Sequence, residues 1–181
     1  MNDLYTPTYR PTGQEQAVFH TSKGDIKVRL SGADAPIHVG NFVELANKGF
    51  YDNLRFHRLE PGFVVQGGCP HSKEYSQAEL KQGVQDPRRG IPGTGGPGYR
   101  IKGEWTTNPH NVHNDGSLAM ARSQSPDSAG SQFYFCLGKQ SFLDGNYTVF
   151  GDAVDEDSLR IIHSLEKGDE ILSVDIIDAD N

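Results

Sequence analysis

Residues 25–30 alternate: Ile26, Val28 and Leu30 are apolar while Asp25, Lys27 and Arg29 are charged, the pattern of a strand with one buried face. Residues 17–19 precede it across Thr21-Ser22-Lys23-Gly24, so the pair predicts a hairpin. The period then changes. Over residues 36–48, Val39, Phe42, Val43 and Ala46 recur at helical spacing, with Pro36 in the first turn and Gly49 as a stop. Residues 56–60 and 63–66 are short extended segments about a Pro61-Gly62 turn. Strict alternation places Phe56, Arg58 and Glu60 on one face, Val64 with Gln66 on one face of the second segment, and Phe63 on the opposite face unless the turn resets the phase. Residues 117–121 and 132–137 predict strands around a polar loop, with Phe133, Phe135 and Leu137 on one face and Gln132, Tyr134 and Cys136 on the other. A strand beginning at 148–151, a helix over 157–167 capped by Asp155 or Asp157 and ended by Gly168, and a strand over 171–177 complete the pattern.

Two segments stand outside this periodicity. Residues 1–16 have none and predict a flexible arm or an added edge; residues 17–181 then form a single domain. The polar, charged stretch around 70–90 reads as a loop: either a solvated surface loop with one helical turn at 77–81, or a surface that grips a substrate or partner.

Composition narrows the class. With 181 residues, 21 Gly and 10 Pro, the chain suits one β-rich, turn-rich domain with its own core. Lys and Arg number 17 against 24 Asp and Glu, a net charge of −7, which leaves no general basic surface for nucleic acid and favours peptide or protein partners. Cys69 and Cys136 make neither a disulfide framework nor a zinc spacing; a bridge between them is formally open, but two buried thiols are the preferred state. The first residues, MNDLYTPTYRP, carry no basic region followed by an apolar one, and no apolar run reaches the ~18 residues of a membrane span. The expected location is the cytoplasm, without a membrane partner.

Several candidate chemistries are weak. GTGGPG at 93–98 matches G-x-G-x-x-G formally, but Pro92 precedes it, Pro97 interrupts it and extended chain follows, so these glycines are expected to turn the backbone beside a groove. His110 and His113 are spaced H-x-x-H without the Glu or further ligands a metal requires, and read as loop histidines. The serines at 123–130 lack a nucleophile elbow or ordered triad. Asn146-Tyr147-Thr148 is a glycosylation sequon of little weight without a secretory signal, and His163 reads as a helix residue. Arg58 is different: it is a fixed charge among Phe56, Phe63, Val64 and Val65. Pairing with Glu60 at a sheet surface, its stem on apolar neighbours, is one explanation.

A second explanation comes from likeness. FHRLEPGFVVQGG at 56–68, GTGGPG, and LAMAR, GSQFYF and LDGNYTVFG within 116–151 occur in an order that resembles the cyclophilin family of peptidyl-prolyl cis-trans isomerases, the bacterial members more than the animal ones. The resemblance runs over residues 17–177. It implies a mainly β fold, a closed eight-stranded antiparallel β-barrel capped by two α-helices, with the site outside on the barrel wall. It implies Arg58 as the catalytic residue, and a proline pocket of Phe63, Val64, Gln66, Tyr134, Leu143 and Tyr147 with Phe142 at the rim. Met120, Ala121, Arg122 and Gln132 would form the adjoining backbone groove. It implies no metal and no organic cofactor, and a monomer that acts on proline-containing peptides and on unfolded or flexible protein segments, assisting their folding.

Four positions depart from the commonest animal pattern: Val64 for Met, Tyr134 for Phe, Phe142 for Trp and Tyr147 for His. Without the indole N–H at Phe142, only weak cyclosporin binding is expected. Tyr134 adds a hydroxyl to the pocket floor, which must find a partner or meet water. The rival to an active isomerase is a binding module of the same shape that holds extended proline-containing segments, with the 70–90 insertion and the arm as its additions.

Overall fold

The computed structural model describes residues 4–178. The strands are β1 (Glu15–Thr21), β2 (Gly24–Leu30), β3 (Leu54–Arg55), β4 (Arg58–Glu60), β5 (Val64–Gly67), β6 (Ser117–Met120), β7 (Phe133–Cys136), β8 (Val149–Ala153) and β9 (Glu170–Asp178). They form one 9-stranded sheet in the order β3-β9-β1-β2-β8-β6-β7-β5-β4, and its paired strands are antiparallel.

The sheet curls but does not close, which corrects the expectation of a closed eight-stranded barrel. Its edges are β3 and β4, adjacent in the chain yet unpaired with each other. The reason lies in Phe56. Its N–H donates to Asp169 O at 2.9 Å and its carbonyl accepts from Gly168 N at 2.7 Å, so the link from β3 to β4 spends its hydrogen bonds beside β9. Phe56 is therefore fully buried while Arg58, of the same parity, is exposed; simple alternation fails across that break.

Elsewhere period-2 reasoning holds. Phe133 and Phe135 join the main core with Leu118, Met120 and Val65, while Tyr134, Cys136, Ala119 and Val64 point to the other face and form a smaller cluster with Leu143 and Val149. Phe19 anchors the main core, its ring centroid 5.7 Å from Phe42, 5.4 Å from Phe133 and 5.2 Å from Phe135. Each such buried ring contributes about 1.5–3 kcal/mol by burial alone.

Among the described residues there are three α-helices rather than two: α1 (Pro36–Asn47), α2 (Gln77–Lys81) and α3 (Glu156–Ser164). Helix α1 begins at Pro36 after Ala35, which has no capping side chain. Its N-terminus is capped from a distance. The buried Glu104 carboxylate accepts the backbone N–H of Ile37 at 3.1 Å and of His38 at 2.7 Å. Asp155 caps α3 through Ser158 N at 2.8 Å, and that helix stops short of the expected residue 167 because Leu165 turns extended.

The segment at 70–90 is folded rather than merely solvated. After a 3₁₀ turn (Pro70–Glu74), Ser76 and Glu79 make a reciprocal capping box that starts α2. The buried Tyr75 is its centre: its hydroxyl donates toward Asp86 O and Gly90 O and accepts from Asp86 N, while Arg89 lies 4.4 Å over its ring. The arm is likewise fastened, apart from residues 1–3 and the last three residues of the domain, 179–181, which lie outside the described ones. Glu44 on α1 accepts from Tyr5 Oη at 2.6 Å, Thr8 N at 2.7 Å and Tyr9 N at 3.1 Å, and Glu15 already belongs to β1. Among the described residues, no helix is long and apolar enough to cross a membrane.

Candidate active site

The β4–β5 hairpin sets the site. Phe63 N donates to Glu60 O at 2.9 Å, closing a turn in which Gly62 has φ +72°, a conformation that suits glycine at that position. The ladder then places Arg58 opposite Gln66 and Glu60 opposite Val64. Phe63 lies in the turn before β5, so it reaches the same pocket as Val64 instead of the opposite face.

A pocket of ≈ 160 Å³ is lined by Arg58, Phe63, Val64, Gln66, Ala121, Arg122, Tyr134, Leu143 and Tyr147. Phe142 stands outside it, 66% exposed, with its ring stacked on Phe63 at 5.6 Å and 23°. A wider groove of ≈ 840 Å³ adjoins, bounded by residues 93–100, Ala121, Arg122 and Gln132. Gln66, Ala121 and Arg122 belong to both. Met120 belongs to neither: its side chain is in the main core and its N–H donates to Thr148 O at 3.1 Å, so of the four residues named for the groove it contributes no surface. No helix follows the 93–98 glycines, which turn along the groove wall.

Polar groups cross the site in one direction. Arg58 Nη1 donates to Gln66 Oε1 at 3.3 Å, Gln66 Nε2 to Gln132 Oε1 at 3.0 Å, and Gln132 Nε2 to Gly93 O and Gly95 O, each at 2.9 Å. Arg58 also stands 3.7 Å from Glu60 and 5.9 Å from the Phe63 ring centroid, its side chain 46% exposed. The surface pairing weighed from sequence is thus present, but loose. Arg122 is occupied otherwise: it donates to Asn146 O, Ser123 O and Gln124 O and lies 4.6 Å over the Tyr147 ring.

The phenol of Tyr134 finds its partner in the fully buried His113, at 2.9 Å from Nε2. Burial pushes the Tyr134 hydroxyl well above its ordinary value. Burial lowers His113, outweighing the upward pull of Asp144. Nothing in the H-x-x-H spacing marks His113 in this role; the only signal is the buried hydroxyl at 134 that must be satisfied. His57, between β3 and β4, is pushed down to about 4 by burial and then by the Arg58 and Lys167 charges. Among the described residues, no group of three or more His, Cys, Asp or Glu could hold a metal ion, and both cysteines are buried free thiols.

A family model described as cyclophilin type peptidyl-prolyl cis-trans isomerase/CLD matches residues 17–179. The chain belongs to this family. Within it, a peptidyl-prolyl cis-trans isomerase of Synechococcus elongatus is 44% identical over 162 residues, covering 90% of this chain and 96% of the relative. Peptidyl-prolyl cis-trans isomerase B of Bacillus subtilis is 42% identical over 149 residues, covering 82% of this chain and 88% of the relative. The fold matches that of a Cryptosporidium parvum cyclophilin with a TM-score of 0.72 at 24% identity, over 91% of this chain and 98% of that one. A structure of that cyclophilin in the presence of the dipeptide Ala-Pro matches with a TM-score of 0.68 at 26% identity, over 92% and 99%.

Proposed function

We propose that this cyclophilin accelerates rotation about Xaa-Pro peptide bonds in flexible protein segments, and so assists their folding, with Arg58 as the residue that stabilises the twisted amide. The observation that carries this is the juxtaposition of the half-exposed Arg58 guanidinium with a small pocket that Phe63, Val64, Leu143 and the rings of Tyr134 and Tyr147 line, the second guanidinium there, Arg122, being held by backbone carbonyls.

Rotation about the peptide bond loses resonance against a barrier of about 18–20 kcal/mol. As the amide twists, the prolyl nitrogen becomes pyramidal and gains a lone pair. A guanidinium donor aimed at that nitrogen, or at the prolyl carbonyl oxygen beside it, binds the twisted form better than either planar isomer. Arg58 presents the planar donor fork of a guanidinium, and its half-exposed head group can be covered by substrate. Phe63, Val64, Leu143, Tyr134 and Tyr147 would hold the pyrrolidine ring and exclude water, while Gln66 fixes Arg58 and offers the substrate backbone a polar partner. The groove of Ala121, Arg122, Gln132 and the glycine loop would carry the residues before proline. A 10⁵-fold acceleration requires about 7 kcal/mol of differential stabilisation. One charge-assisted donor in a desolvated site, together with orientation, supplies energies of that order. At the rim, Phe142 offers an apolar shelf without an N–H, which suits weak cyclosporin binding.

The test is isomer exchange of a short Ala-Pro peptide measured by NMR. Wild type accelerates exchange, and Arg58→Ala loses about two to three orders of magnitude while its fold, read from the amide spectrum, persists. An equal rate in both proteins removes Arg58 from the mechanism. Absence of acceleration by folded wild type leaves the binding-module reading instead.

A further inference from the structure

We propose that His113, oriented by Asp144, is a positioning residue that holds the Tyr134 hydroxyl away from the proline pocket and thereby keeps the pocket floor apolar, given the pocket assigned to this face. Asp144 Oδ1 accepts from His113 N at 2.8 Å and from His113 Nδ1 at 2.9 Å. A carboxylate only accepts, so Nδ1 carries a proton, and because burial favours the neutral imidazole, Nε2 presents its lone pair. Tyr134 must then be the donor across the 2.9 Å contact, with the two rings nearly parallel at 11°. The phenol proton is consumed behind the pocket, and the ring alone faces the ligand.

The same short segment fastens two further pocket residues. Asn111 Nδ2 donates to Tyr147 O at 2.8 Å and to Asp144 O at 2.5 Å, directly after Leu143. Tyr134, Leu143 and Tyr147 are thus set by residues 111–113, and the Tyr134 and Tyr147 rings meet edge to face at 6.1 Å and 82°. A cyclophilin with Phe at this position would have no hydroxyl to place; with Tyr134, an unpartnered hydroxyl would turn toward the proline ring or bring water beneath it.

Two measurements on the full chain decide this. In wild type, ¹⁵N NMR of the imidazole gives a protonated Nδ1 and a bare Nε2 for His113; a protonated Nε2 at neutral pH overturns the assignment. In kinetics on an Ala-Pro peptide, His113→Leu raises KM about tenfold with a smaller change in kcat, as expected when a buried hydroxyl loses its acceptor. The double variant His113→Leu/Tyr134→Phe returns KM to that of Tyr134→Phe alone, because no hydroxyl remains to be placed. Unchanged KM in His113→Leu, or losses that simply add in the double variant, overturn the proposal and make His113 structural only. Where His113→Leu does not fold, His113→Gln, which can still accept from Tyr134, replaces it and must lose less activity than His113→Ala. An inactive but folded wild type instead rejects the isomerase reading, and the ¹⁵N result then judges the geometry separately.

Discussion

Arg58 and Gln66 are register partners in the β4–β5 ladder, and the Arg58 Nη1 donates to Gln66 Oε1 at 3.3 Å. Gln66 passes the bond on to Gln132, and Gln132 to the backbone of Gly93 and Gly95. The guanidinium is therefore aimed by residues on three separate segments.

Removing the middle of that chain should misplace the charge without removing it. Gln66→Leu is expected to lower kcat/KM on an Ala-Pro peptide by about ten- to a hundredfold, a loss of the size that small misplacements cause. Gln132→Ala, one step further away, should lose less. Peptide kinetics of the two variants check the order; a larger loss in Gln132→Ala would place the aiming elsewhere.

Gly68 directly follows β5 with φ +89°, and a Cβ there would clash with Ser131 O. Both the conformation and the backbone contact oppose any side chain. Gly68→Ala should cost about 2–4 kcal/mol of stability, read from urea denaturation.

Acid should destabilise the fold through His57 and His113. His57 has its pKa pushed down to about 4 in the folded protein against 6.5 ordinarily, and among the described residues its buried Nδ1 has no hydrogen-bond partner. The unfolded chain thus binds the proton first, so this contribution is complete above pH 6.5 and is lost as pH falls from there through about 4. The loss is about 3 kcal/mol at most, and His113 acts in the same direction. Denaturation midpoints at pH 7.5, 5.5 and 4.5 check this, and His57→Gln should shrink the decline.

The fastened arm gives a further test. Tyr5 N donates to Arg100 O at 2.8 Å, and its ring lies 4.3 Å from that of Tyr99, whose hydroxyl in turn donates to Asn41 on α1. Deleting residues 1–9 should lower the thermal midpoint by several degrees, about 1–2 kcal/mol, and speed amide exchange at Tyr99 and Arg100 on the groove wall. Unchanged exchange there would show that the arm stabilises α1 alone.

Local pattern alone determined much of this protein. Helix α1, the 24–30 strand and the two faces of β7 follow from spacing, because helix and strand periods are properties of the backbone and each short segment carries its own record of them. The motifs around Arg58 and Gln132 pointed to the same wall that the fold assembles. What only the tertiary structure decided depends on partners distant in sequence. The sheet stays open because Phe56 bonds to Gly168 and Asp169, more than a hundred residues on. The 70–90 segment folds because Tyr75 and Arg89 meet, and α1 is capped by Glu104 from another loop. Met120 leaves the groove because its strand turns that side chain into the core. His113 meets Tyr134 only when β7 and the 111–113 segment are brought together. A backbone period can be read one residue at a time, whereas a buried hydrogen bond exists only once the chain has closed around both of its ends.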